Sequence, residues 1–221
     1  MKQAYQWSNS YSSGQGLLEV IVAIGIITAS TVTTVALIIN TMIVSNISQQ
    51  QIIAINLARE GVEIIRGIRD TNWLQVDAGI LSARWNAGLA HEDNKDYTAI
   101  PTFSKDDGKW SVDFAADGFT DEATTLWIDN NGFYNQFQDI SLVPNTYSIL
   151  KQYQRLLTIL PICRDSSNNE EIATEGQNCD NFRNPGDFIQ VGVEVHSDVQ
   201  WTEHGKIHTT QLVDTLFDWK T

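Results

Sequence analysis

From Leu17 to Val44 the chain runs 28 residues (LLEVIVAIGIITASTVTTVALIINTMIV) with one charged side chain, Glu19, and no proline. About 20 apolar residues in a helix cross the hydrocarbon core of a bilayer, so this run is long enough to span one. The gap in charge is wider still, because Glu19 is the only Asp, Glu, Lys or Arg between Lys2 and Arg59. Thr and Ser crowd the middle of the run, from Thr28 to Thr34. Short hydroxyl side chains are tolerated there because they can bond back to the helix's own carbonyls. An ordinary secretory signal has an apolar stretch of about 7–15 residues closed by a small-x-small cleavage site. This run is about twice that length and has no such site at its end, so it reads as a retained anchor.

Past the anchor the apolar residues thin into helical spacing. Ile52, Ile55, Ala58, Val62 and Ile65 fall on one stripe, with Gln51, Asn56, Arg59, Glu63 and Arg66 elsewhere. The pattern predicts one helix from the membrane to about Asp70, with Gly61 and Gly67 weakening its distal end by about 1 kcal/mol each relative to Ala. All four Pro, and every Trp except Trp7, come after that point. The expected segments are therefore 1–14, 15–45 as the apolar helix, 46–70 as its amphipathic continuation, and 71–221 as a globular region. Turn signals at Lys105–Lys109 (KDDGK), Asp129–Gly132 (DNNG), Asn184–Asp187 (NPGD) and His204–Lys206 (HGK) separate apolar stretches of strand length. Phe188–Val195 alternates as a sheet with one buried face does, and its mate begins after HGK. The fold class is α+β: the distal half of the helix laid on an antiparallel sheet from residues 100 to 221, because its apolar stripe must be covered.

The composition excludes some functions. With 42% hydrophobic and 19% charged residues the chain can bury a core. Its formal charge of 14 − 27 = −13 repels phosphate backbones, so a sequence-independent nucleic-acid binder is disfavoured. No GxSxG, GxGxxG or Walker loop occurs. The chain is therefore expected not to be an enzyme, and to need no cofactor and no small-molecule substrate.

Gly14 is followed five residues later by Glu19, at the head of the apolar run. A carboxylate just inside a membrane helix is expensive and usually has both a task and a partner. A helix N-terminal Glu at head-group depth, aligned with the helix dipole, is the simpler account. At these residues the sequence resembles the type IV pilin superfamily, which includes minor pilins and pseudopilins. Asn56–Trp73 and Val199–Trp219 also look like parts of minor pilins. The resemblance implies cleavage by prepilin peptidase between Gly14 and Gln15, methylation of the new amine, and an apolar helix that serves first as anchor and then as filament core. It also implies other pilin subunits and a pilus or secretion assembly machine, with its ATPase, as partners. The place implied is the cytoplasmic membrane, single-pass with an extracytoplasmic C-terminal domain, and later a periplasmic or cell-surface filament. Glu19 would then meet the α-amino group of a neighbouring subunit. Members usually begin with Phe or Met after the cut, where this chain has Gln15 and Gly16.

Cys163 and Cys179 are the only cysteines, and the anchor would place them outside the cytoplasm, where oxidation persists. A disulfide is expected, closing 15 intervening residues and contributing about 3 kcal/mol through loop-closure entropy. Two buried thiols are the alternative. His196, Glu203, His204 and His208 hint at zinc, but the order reverses the helical HExxH pattern across a Gly turn. Asp129–Gly132 lacks the alternating acids and closing Glu of a calcium loop and reads as a hairpin turn. Asp165, Asn168, Asn169, Glu170 and Glu171 are a second calcium candidate. No metal site is expected. Two other classes stay open beside the filament subunit: a signal-anchored adhesin or binding domain that never polymerises, and an anchored hydrolase using acids with His204 or His208.

Overall fold

The computed structural model describes residues 15–90, 97–114, 116–174, 177–180, 187–203 and 205–219. Helix α1, Gln15–Asp77, is 63 residues long and continuous. It runs on past Asp70, and Trp73, expected in the globular region, lies on it. Its end is set by Gly79, which takes φ +75°. With Gly79 in the left-handed region, its N–H bonds to the Val76 carbonyl and the Ile80 N–H to the Gln75 carbonyl. That is the Schellman arrangement, which satisfies the last carbonyls of a helix and stops it. By internal contacts the chain divides into two units, Met1–Gln49 and Gln50–Thr221. The distal part of α1 thus belongs with the sheet.

Within the second unit the described strands are β1 (Thr98–Ser104), β2 (Lys109–Asp113), β3 (Thr125–Asp129), β4 (Tyr134–Asn135), β5 (Tyr147–Asp165), β6 (Glu170–Ile172), β7 (Phe188–Glu203) and β8 (Lys206–Phe217). All pairings are antiparallel. β5 is the spine. Along one edge it pairs with β7 from Tyr153↔Trp201 to Asp165↔Phe188, and along the other it takes β3, β1 and β6 in succession. β7 and β8 form a hairpin in unbroken register from Glu203↔Lys206 to Gly192↔Phe217. The turn readings at KDDGK, DNNG and HGK hold: Gly108, Gly132 and Gly205 all have positive φ at hairpin tips. Asn184–Gly186 lie outside the described residues. The DNNG turn closes with the Asp129 N–H on the Phe133 carbonyl, a three-residue loop with Gly in the left-handed position.

The expected α+β arrangement is what the chain adopts. Val62 and Ile65 of α1 pack with Leu157 and Ile159 of β5, Val193 and Val195 of β7, and Leu216 of β8. A second cluster joins Ala54, Leu57 and Ala58 to Leu126, Tyr153, Val199 and Trp201. At Gly61 the helix lies close against the sheet. A Cβ there would lie 2.5 Å from Ser197 Oγ, 3.0 Å from Leu157 Cδ2 and 3.3 Å from Arg155 Cδ. Arg66 reaches from α1 to Asp214 of β8 at 2.6 Å, and the Arg69 guanidinium sits 5.1 Å from the Trp219 ring centre.

Candidate functional site

The first unit offers a surface and little internal structure. Every described side chain from Gly16 to Val44 is exposed, including Leu17, Ile21, Ile24, Leu37 and Met42. This is one helix long and apolar enough to cross a membrane, near the N-terminus of the chain. A hydrocarbon face of that length is not stable in water, so lipid or other helices must cover it. The hydroxyls behave as expected. Thr28, Ser30, Thr31, Thr33, Thr34 and Thr41 each donate to a carbonyl three or four residues back, at 2.6–3.1 Å. Their polarity is absorbed within the helix, which removes most of the cost of placing them in lipid.

Glu19 projects from the first turns of α1, exposed and without a hydrogen bond or ion pair to another described residue. Gly14 lies outside the described residues. The helical backbone is described from Gln15 onward.

The disulfide forms between Cys163 of β5 and Cys179, with Cα atoms 5.3 Å apart. The bridge is buried with Ala173 and packs on Phe188, pinning the acidic loop to the end of β5. Within that loop the calcium candidate is a turn. Asp165 accepts from the backbone N–H of Ser167 and Asn169 and from Asn169 Nδ2, while Glu170 pairs with Arg164 at 2.8 Å. Asp129 is likewise occupied, accepting from Asn131 and Phe133 N–H. Those backbone donors, Phe133 first, hold its carboxyl below the usual range, and Lys105 adds to the effect. The zinc candidates do not converge. His196 pairs with Glu194 at 2.7 Å, whereas His208 stacks on Trp201 five positions further along β7. His204 lies outside the described residues. Among the described residues no group of three or more His, Cys, Asp or Glu is placed to hold a metal ion.

A buried polar network lies between α1 and the sheet. The Arg155 side chain is fully buried; its Nε donates to Gln136 Oε1 at 3.0 Å and Nη1 to the Leu57 carbonyl at 3.2 Å. Gln136, also fully buried, returns Nε2 to the carbonyls of Arg155 (2.7 Å) and Thr124 (2.9 Å). The nearest carboxylate is Glu60 of α1, at 3.7 Å from Nη1. Burial pushes the Glu60 carboxyl above its ordinary value, and Arg155 only partly opposes this. Burial pulls the Arg155 guanidinium down, with Glu60 opposing. Sequence reasoning missed this network. The available signal was the alternation Tyr153, Arg155, Leu157, Ile159, which puts Arg155 on the core face of its strand.

Beside Glu60 a trough of about 560 Å³ opens between α1 and the hairpin tips. Ile64, Gly67 and Ile68 form its floor, and Trp110 and Phe133 form its wall. Compared with family models, curated proteins and solved structures, the chain matches none. What is established is therefore architectural: a membrane-spanning-type helix continuing into a disulfide-bridged α+β unit.

Proposed function

We propose that this chain is a minor pilin or pseudopilin subunit, cut after Gly14 by prepilin peptidase and assembled through its N-terminal helix into a type IV pilus or related filament. The observation that carries the reading is the exposed apolar helix with a single carboxylate, Glu19, five residues past Gly14 and nothing within the described chain to answer it. Cleavage frees the Gln15 α-amino group. In a bundle of parallel helices the amine of one subunit then meets the Glu19 carboxylate of its neighbour. An unpaired carboxylate in such a setting costs several kcal/mol, so the pair selects the correct axial register over slipped ones. The continuous run of α1 into the sheeted unit supports the same reading, because the helix that would build the filament core also carries the domain it displays.

The test is mass spectrometry of the N-terminal peptide from membrane-derived protein. A mature chain beginning at methylated Gln15 is expected, and surface material retaining Met1–Gly14 refutes the assignment. Glu19→Ala is expected to remove the protein from sheared filaments while leaving it in the membrane. If Glu19→Ala changes neither localisation nor activity, the chain is an anchored binding domain that does not polymerise.

A further inference from the structure

Six positions on one face of α1, from Glu60 through Ile64, Gly67, Ile68 and Thr71 to Gln75, line the trough, and it lies wholly within the second unit. Its volume, about 560 Å³, falls in the range of sites that hold a ligand. Two observations bear on whether and what it holds. The first is Gly67. A Cβ placed there meets no atom within 4 Å, so nothing in the fold requires glycine, although glycine in a helix interior is less stable than Ala. Gly61 is the contrast, since the sheet occupies the space its side chain would take. What the missing side chain at Gly67 preserves is the open floor of the trough.

The second is the state of the polar groups. The Asn72 amide is committed to the carbonyls of Trp85 and Ala87, and Glu63 is held by Arg66 at 2.6 Å. Glu60 is served only by Arg155, at 3.7 Å, and its side chain remains 32% exposed. Of the two carboxylates lining the trough, it is the one left for a guest. Opposite it stand Trp110 and Phe133, both packed on Phe103, with Phe133 59% exposed. A carboxylate beside aromatic faces favours a cation, and a chain of net charge −13 favours one from a distance as well.

We propose that this trough binds a polypeptide segment carrying an arginine or lysine next to an aliphatic residue, with the cationic head against Glu60 and the aliphatic body between Ile64, Ile68 and the Trp110–Phe133 wall. A neutral sugar fits less well, because it brings no charge to the Glu60 carboxylate. Lys109, on the rim, sets the opposing charge and tempers the preference. The inference is independent of the filament reading, since it concerns the sheeted unit of the folded chain and requires neither cleavage nor assembly.

The experiment is isothermal titration of the full chain in detergent micelles. The probes are acetyl-Leu-Arg-Leu-amide, the same peptide with citrulline in place of arginine, and maltotriose. The arginine peptide is expected to bind at least tenfold more tightly than the citrulline peptide, with no heat from maltotriose. Gly67→Leu fills the floor and is expected to abolish binding without lowering the melting temperature. Glu60→Gln is expected to erase the preference for arginine, and Lys109→Glu to tighten binding severalfold. No binding by the wild type, binding unchanged in Gly67→Leu, preference for maltotriose, or self-association of the wild type that Gly67→Leu abolishes each overturns the proposal.

Discussion

Gly61→Ala and Gly67→Ala are the same chemical change on the same helix, and the structure predicts opposite signs for them. Both exchanges gain about 1 kcal/mol of helix propensity. At Gly67 nothing offsets the gain, because the new methyl enters open space. At Gly61 the methyl arrives 2.5 Å from Ser197 Oγ and 3.0 Å from Leu157 Cδ2, both fully buried residues. Overpacking of this kind costs about 1–3 kcal/mol, so the net is a loss of about 1 kcal/mol. The two variants should therefore differ by about 2 kcal/mol, or roughly 4–8 °C in melting temperature for a unit of this size. The assay is thermal unfolding of the full chain in micelles, followed by circular dichroism.

Ser197→Ala supplies the internal control. Ser197 Oγ has no hydrogen-bond partner among the described residues, and a buried hydroxyl left unpaired costs about 1–3 kcal/mol. Removing it should stabilise the wild type slightly and rescue most of the loss in Gly61→Ala, giving a coupling of at least 0.5 kcal/mol in the double-mutant cycle. Equal shifts of the same sign for the two glycine variants, or no coupling with Ser197→Ala, would refute the close approach of α1 to β7.

Three further outcomes test other parts of the fold. Gln136→Ala removes the acceptor of Arg155 Nε and two strong donors to buried carbonyls, leaving a buried guanidinium poorly served; a loss of about 3–5 kcal/mol in denaturant unfolding is expected. Reducing Cys163–Cys179, or replacing both residues by Ser, should cost about 3 kcal/mol and free the loop at the end of β5 to protease, read by melting temperature and limited proteolysis. Asp129 has its folded-state pKa depressed by the Phe133 and Asn131 amides and by Lys105, so its contribution is present above the ordinary value of 3.8 and lost as pH falls through the lower folded value. The melting-temperature gap between wild type and Asp129→Ala should accordingly be constant near neutrality and close as the pH drops below 3.8.

The parts of this molecule legible in the sequence are those whose cause is local. The apolar run of α1 and the back-bonding hydroxyls at Thr28–Thr34 depend on residues within one or two helical turns, and so do the hairpin tips at Gly108, Gly132 and Gly205. The cysteine pair could be read because the chain has two cysteines, which have one way to combine. The end of α1 was harder, since Gly61 and Gly67 already weaken the pattern and the stop is Gly79, whose φ of +75° is decided by two hydrogen bonds that a pattern does not display. The spine strand β5 was not read, because its buried row, Tyr153, Arg155, Leu157, Ile159 and Pro161, carries a cation and a proline where Phe188–Val195 shows an unbroken apolar alternation.

Gly61, Gly67, Glu60 and Arg155 show where local reading ends. The two glycines look alike in sequence, as equal weaknesses in a helix. One is determined by Ser197, on a strand far along the chain, and the other by the empty space under Trp110 and Phe133. Arg155 sits in an apolar strand as though misplaced, yet Gln136 and the Leu57 carbonyl complete it. Glu60, next to Gly61 and two turns before Gly67, faces both the buried guanidinium and the trough. A carboxylate kept partly desolvated beside a charge it does not fully meet gains from any second cation that reaches it. That is why Glu60→Gln should leave the trough open and remove its preference for a basic guest, an outcome that a trough left merely by imperfect packing would not give.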